Sequence, residues 1–334
     1  MPKRPCAIDL ASRDQTIIIG DKFGDVYSLP LFPKLYQENA EQTSVSAPHY
    51  KPTATEKTVH SKSNLRVLQE QLKQAEQGGV TKSKGPIAFE HELLLGHVSM
   101  LTDLVVASHK AEDKTEKART YILTADRDEH IRISRGPPQA FVTEGYCLGH
   151  REFVSKICLL DPKNLVSGGG DDEIFLWNWL EGKLLGKFEI RNMVLQILNE
   201  AIRLRGHQHD AGEVPQNQKL AVSGMWTFPD SGISKVRIWL VERFNTNPGK
   251  PQVLVAFEGV PALISITLNP EKAGSQQPSI LKLPGNVLDV AFVSDQCMVV
   301  SVDNIHRPGT TTDIDDSDEP DESEASKVSI HFQH

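Results

Sequence analysis

Short apolar runs punctuated by Gly, Pro, Asn and Asp recur along most of the chain, and two of them repeat each other closely. Residues 121–134 read YILTADRDEHIRIS, and residues 164–177 read NLVSGGGDDEIFLW. Each has an apolar run, a hydroxyl residue (Thr124, Ser167), an Asp four residues on (Asp128, Asp171) and a second apolar run. That order predicts strand, tight turn, strand. A Gly-His pair precedes each unit, Gly96-His97 and Gly149-His150, at an interval of 53 residues. The charged segment KAEDKTEKAR (110–119) reads as an enlarged loop that lengthens the interval. Weaker copies extend the series both ways. TIIIGDKFGDVYSLPL (16–31) predicts two strands around a Gly/Asp turn. KLAVSGMW (219–226) and KVRIWLVERF (235–244) predict strand, turn and a strand bearing Trp239. Segments 262–270, 286–295 and 296–304 predict further short strands, giving about five or six partial units in all.

Strands that are apolar on both faces belong between layers, so the series predicts an all-β propeller of stacked four-stranded blades. The recurring residues are those of a WD repeat, in which a turn His, a turn Asp, a strand hydroxyl and a strand Trp form one buried hydrogen-bond network. The candidates are His150, Asp171, Ser167 and Trp177 in the second unit. In the first they are His97, Thr124 and Asp128, with Ser134 at the Trp position. Leaving one buried polar group unpaired costs about 1–3 kcal/mol, so such a set is kept complete. The expected division is a blade portion at 1–32, an insertion at 33–88 with a polar helix over 63–77, blades at 89–308, an acidic disordered segment at 309–326, and a possible closing strand at 327–334. Roughly 270 residues of blade sequence fall short of seven units of about 40 each, so N-terminal blade material is expected to be absent.

Bulk charge changes the picture little. The formal charge of −8 is carried by eight acids between Asp313 and Glu324, and the remainder is neutral. The scattered bases Lys3, Arg4, Lys22, Lys82 and Lys84 form no stripe that marks a nucleic-acid surface. No apolar run is long enough to span a membrane, and the four cysteines form no CxxC pair, which fits reduced thiols inside a cell. Catalytic chemistry finds no constellation. Gly168, Gly169 and Gly170 lie between two strands rather than before a helix, so they read as a hairpin and not a phosphate cradle. His207, His209 and Asp210 fall in a loop composition, and no metal or cofactor is expected. His97 and His150 read as structural rather than acid–base groups.

The segments GHVSMLTDLVV (96–106), YILTADRDEHIRISRGP (121–137), GYCLGHREFVSKICLL (145–160), LVSGGGDDEIFLWNW (165–179), IGDKFGDVYSLPL (19–31) and LKLPGNVLDVAF (281–292) together resemble one family. It is the WD-repeat, non-catalytic subunit of the eukaryotic tRNA guanine-N7 methyltransferase, in its fungal form. The resemblance implies a seven-bladed fold, no catalysis by this chain, a nuclear location and a heterodimer with the catalytic methyltransferase, which modifies a variable-loop guanine; tRNA is met through that complex. It also implies that a basic residue after the DRDE turn, here Arg132, pairs with an acid on the catalytic subunit. Arg127, Asp128 and His130 would flank the contact, and Lys22 would lie on the adjacent blade. Ile131 and Ile133 alternate inward, which predicts that Arg132 faces out. A general WD-repeat scaffold, such as a substrate receptor of a ubiquitin ligase, is the other reading of the blades; a propeller enzyme would need polar residues converging on a central channel.

Overall fold

The computed structural model describes residues 4–11, 15–32, 65–66, 69–70, 73, 91–109, 118–205, 214–215, 217–228, 235–238, 244–245, 251–268, 278–294 and 297–314. Two compact units emerge, residues 30–91 and the remainder. In the smaller one Leu65, Arg66, Gln69, Glu70 and Lys73 are helical, within the span predicted as a polar helix. Trp239, the HxH pair at 207–209 and segments 315–326 and 327–334 lie outside the described residues.

The larger unit is a series of four-stranded sheets. The first joins β1 (Pro5–Ala11), β2 (Thr16–Asp21), β3 (Asp25–Pro30) and β4 (Glu92–Gly96) in that order. The second joins β5 (Leu101–His109), β6 (Arg119–Asp126), β7 (Ile131–Arg135) and β8 (Thr143–Cys147). The third joins β9 (Val154–Leu159), β10 (Asn164–Gly169), β11 (Glu173–Asn178) and β12 (Lys183–Glu189), after which helix α1 (Arg191–Arg205) intervenes. These are antiparallel meanders, the up-and-down blades of a propeller.

Beyond the helix the order differs from the prediction. β13 (Val222–Thr227) does not pair with β14 (Lys235–Ile238), which forms a hairpin with β15 (Phe244–Asn245). Its neighbour is β16 (Gln252–Phe257), followed by β17 (Ala262–Thr267) and β18 (Ser279–Lys282). β16 and β17 are buried at every residue, and strands of that kind belong in the middle of a covered sheet. β14 instead runs parallel to β20 (Cys297–Asp303), which pairs antiparallel with β19 (Asn286–Ser294).

The first strands of the first four sheets, β1, β5, β9 and β13, are stitched each to the next by polar side chains. Asp9 accepts the Val106 N–H at 2.6 Å, and Asp103 accepts the Ile157 N–H at 3.0 Å. Thr102 donates to the Val154 carbonyl and Ser155 to the Val222 carbonyl, each at 2.6 Å. Burial pushes the Asp103 carboxyl above the usual carboxylate range, against the opposing charge of Lys156. Apolar clusters fill the seams. Ile18, Val26, Leu104 and Ile122 lie between the first two sheets, Ile131, Ile133, Phe175 and Trp177 between the next two. Gly169 is fixed by this packing, because a Cβ there would stand 1.8 Å from the Phe153 carbonyl oxygen.

Candidate partner-binding surface

The turns of the second and third sheets are held by two related but unequal networks. In the third, buried His150 uses Nδ1 to meet Asp171 Oδ2 at 2.7 Å and Nε2 to meet Ser167 Oγ at 2.7 Å. Trp177 Nε1 donates to the same Ser167 oxygen at 2.8 Å, so all four residues are brought together. Asp171 also accepts the Arg151 and Glu152 N–H groups, which pins the following loop. Burial pulls the His150 imidazole below the ordinary histidine range, opposed by its bond to Asp171.

That depression has a sign. The unfolded chain takes up the His150 proton below about pH 6.5, the folded chain only at lower pH. The stability His150 contributes is therefore full above that point and drains as pH falls toward the folded value. Urea unfolding at pH 7.5 and 5.5 is expected to show lower stability at 5.5. His150→Gln is expected to be less stable at both values but to have a flatter dependence between them.

In the second sheet the acid is a different residue from the one predicted. His97 Nε2 meets Thr124 Oγ1 at 2.8 Å, and its Nδ1 lies 3.5 Å from Asp126, not Asp128. Asp126 is two residues from Thr124 and so shares its face of the strand, whereas Asp128 is carried out into solvent by the turn. Burial alone would raise the Asp126 carboxyl, but bonds from His97 and from the His130 and Asp128 N–H groups hold it below the usual range. Ser134 is buried at the Trp position, with no hydrogen-bond partner for its hydroxyl among the described residues. Asp126→Ala is expected to cost about 1–3 kcal/mol in urea unfolding. Asp128→Ala is expected to stay within about 0.5 kcal/mol, as a surface substitution.

The same turn recurs in the first sheet. Asp21 Oδ1 accepts the N–H groups of Phe23 and Asp25, as Asp126 Oδ1 accepts those of Asp128 and His130. Gly24 takes the left-handed conformation, φ +101°, and a Cβ there would approach the His97 carbonyl to 2.6 Å. The two turns present Lys22 and Arg127 at matching positions, both exposed.

Arg132 does not face open solvent. It pairs in register with Thr124 and Tyr146, on the face of β7 opposite Ile131 and Ile133. That face borders the seam with the first sheet, because a blade covers both sides of its strands. The residue is half-buried, and its Nη1 donates to the Gly96 carbonyl at 3.0 Å. In and beside the first two sheets stand exposed apolar groups without a counterpart in the sequence expectation: Phe23, Val98, Met100, Tyr146 and Leu148. Three of them touch the charged set, Phe23 lying 5.4 Å beneath the Lys22 ammonium. The Arg127 N–H donates to the Met100 carbonyl at 3.0 Å, and the His130 and Tyr146 rings meet edge-on at 6.4 Å. Apolar side chains in loops that otherwise carry turn residues were the available signal. Apolar centres with a charged rim are how partner surfaces are built.

The model of the tRNA methyltransferase TRM82 WD40 domain matches residues 1–327. The chain belongs to the TRM82 WD40 family. Relatives named as the tRNA (guanine-N(7)-)-methyltransferase non-catalytic subunit TRM82 include one from Coccidioides immitis, 41% identical over 329 residues, with 95% of this chain and 58% of that protein covered. The Phaeosphaeria nodorum subunit is 43% identical over 94% of this chain and 61% of its own length. The Candida glabrata subunit is 30% identical over 91% and 54%. The chain thus spans about three-fifths of the length of the first two TRM82 relatives. A solved structure of the RRP9 WD40 repeats aligns with 90% of this chain and 58% of that one, at a TM-score of 0.45 and 11% identity. Among the described residues no helix is long and apolar enough to cross a membrane, and no group of three His, Cys, Asp or Glu side chains is placed to hold a metal.

Proposed function

We propose that this chain is the non-catalytic, WD-repeat subunit of a nuclear tRNA N7-methylguanosine methyltransferase. It binds the catalytic subunit as a heterodimer, acts as its scaffold and stabilises it, and methylation of a variable-loop guanine requires it. Contact with tRNA is made through the complex. The observation that carries this reading is the family match over residues 1–327, together with the names its relatives bear. The geometry supports it with exposed apolar groups set against bases on the first two sheets: Phe23 under Lys22, Met100 bonded through its carbonyl to Arg127, and Tyr146 against His130 and paired in register with Arg132. A propeller that offers such a surface serves as a platform. The test is co-expression with the methyltransferase of the same genome. A one-to-one complex by light scattering, and loss of N7-methylguanosine from tRNA when this chain is deleted, are expected. Recovery of ubiquitin-ligase components with no methyltransferase would overturn the reading, and a tagged chain excluded from the nucleus would overturn its nuclear part.

A further inference from the structure

We propose that a cavity between the second and third sheets is a binding site for the guanidinium group of an arginine side chain on another polypeptide. The inference stands apart from the function proposed above. The cavity measures about 160 Å³ and lies in the seam that Phe175 and Trp177 fill elsewhere. It exists because of a glycine. Gly145 pairs in register with Ile133 and alternates with buried Cys147, so all three positions face the third sheet. Gly145 has no side chain to fill the space, and a Cβ there would meet Ile133 Cδ1 at 3.9 Å, an ordinary contact. Its backbone is not left-handed, so the strand itself does not call for glycine. Across the seam the turn after β11 brings Trp179 and Glu181 to the cavity. That turn closes against β8 at Gly182, φ +63°, where a Cβ would stand 2.6 Å from the Tyr146 carbonyl oxygen.

The polar groups of the lining are acceptors in want of a donor. Tyr121 lines the cavity, is only 9% exposed, and has no hydrogen-bond partner for its hydroxyl among the described residues. Wholly buried Trp179 holds its ring edge-on at 5.1 Å. An unbonded polar group that deep is costly unless something reaches it. Glu144 and Glu181 enter the lining from opposite sheets. Arg135 pairs with Glu144 through Oε1, leaving Oε2 and the Glu181 carboxylate without partners among the described residues. Two acids against one base leave one negative charge, beside a phenol oxygen that can accept. A guanidinium answers that set. It is permanently charged, carries five donors in a flat fork and is weakly hydrated, so it enters an aromatic-walled space more readily than a compact ammonium.

The experiment titrates the full-length chain, carrying 3-fluorotyrosine, with N-acetylarginine methylamide and follows the fluorine resonances. The Tyr121 signal is assigned by its absence in Tyr121→Phe. It is expected to shift saturably at millimolar ligand. The citrulline derivative keeps the shape without the charge and is expected to bind at least about tenfold more weakly. The lysine derivative is expected to bind more weakly as well. Glu181→Gln is expected to weaken binding about fivefold, with a smaller deficit at high salt. Gly145→Val fills the cavity and is expected to abolish the shift. Its Tm should be unchanged or higher, since a β-branched residue replaces glycine within a strand. Loss of binding beside a retained Tm separates a filled site from an unfolded chain. Equal binding of the arginine and citrulline derivatives, absence of any shift, or native affinity in Gly145→Val overturns the site. Equal affinity for the lysine derivative overturns the guanidinium assignment, and bare guanidinium ion binding as tightly as the capped residue overturns the side chain as its source.

Discussion

Arg132→Glu is expected to abolish the complex with the catalytic subunit while leaving the propeller folded. Arg132 is half-buried at the seam of the first two sheets, with its guanidinium tied to the Gly96 carbonyl. One bond fixes the guanidinium through Nη1 while Nε is buried without a partner among the described residues, so the planar group has donors to spare for a partner carboxylate. Truncating one member of a desolvated charge pair costs about 2–5 kcal/mol, and inverting the sign adds repulsion to that loss. At about 1.4 kcal/mol per decade this is a fall in affinity of at least about thirtyfold. The fold survives because Gly96 is exposed and water can take the place of the lost donor. Arg132→Lys retains the charge without the planar fork and is expected to fall between. Titration against the methyltransferase checks the first effect, and a circular dichroism melt the second. Native affinity in the glutamate variant would remove Arg132 from the interface.

The largest loss of stability is expected for Trp177→Ala, at about 3–5 kcal/mol. Its indole is fully buried, lies parallel to Phe175 at 5.8 Å and donates to Ser167. The alanine leaves a cavity at the seam of the second and third sheets and takes a donor from a buried hydroxyl. A domain stable by about 5–15 kcal/mol gives up a large share of its margin in that change. Trp177→Phe fills most of the volume and loses only the N–H, so its expected cost is about 1–3 kcal/mol. Urea unfolding of the three proteins gives the order, and equal midpoints for alanine and native chains would show that the network carries no weight.

The networks show where reading the residues succeeded and where it did not. His150, Ser167, Asp171 and Trp177 stand at the spacings of a WD repeat, and those spacings sufficed to group them. In the second sheet the same spacing led to Asp128, whereas Asp126 makes the bond. The two-residue period was the better guide, since it places Thr124 and Asp126 on one face. The exposed Phe23, Val98 and Met100 were missed because an apolar side chain in a loop looks like any other until its neighbours are known. Arg132 was read as outward because alternation distinguishes two faces without saying what lies against either.

Local pattern therefore determined the strands, their turns and the repeated blade, because backbone pairing and turn geometry depend on residues close in sequence. The family, too, was legible from short motifs. Tertiary structure alone decided which strands share a sheet beyond α1, where the wholly buried β16 and β17 displaced β14 from beside β13. It alone placed Arg132 against Gly96 and brought two turns a hundred residues apart onto adjoining sheets. Those outcomes depend on which apolar faces cover one another, and that competition is settled between distant segments rather than within any one of them.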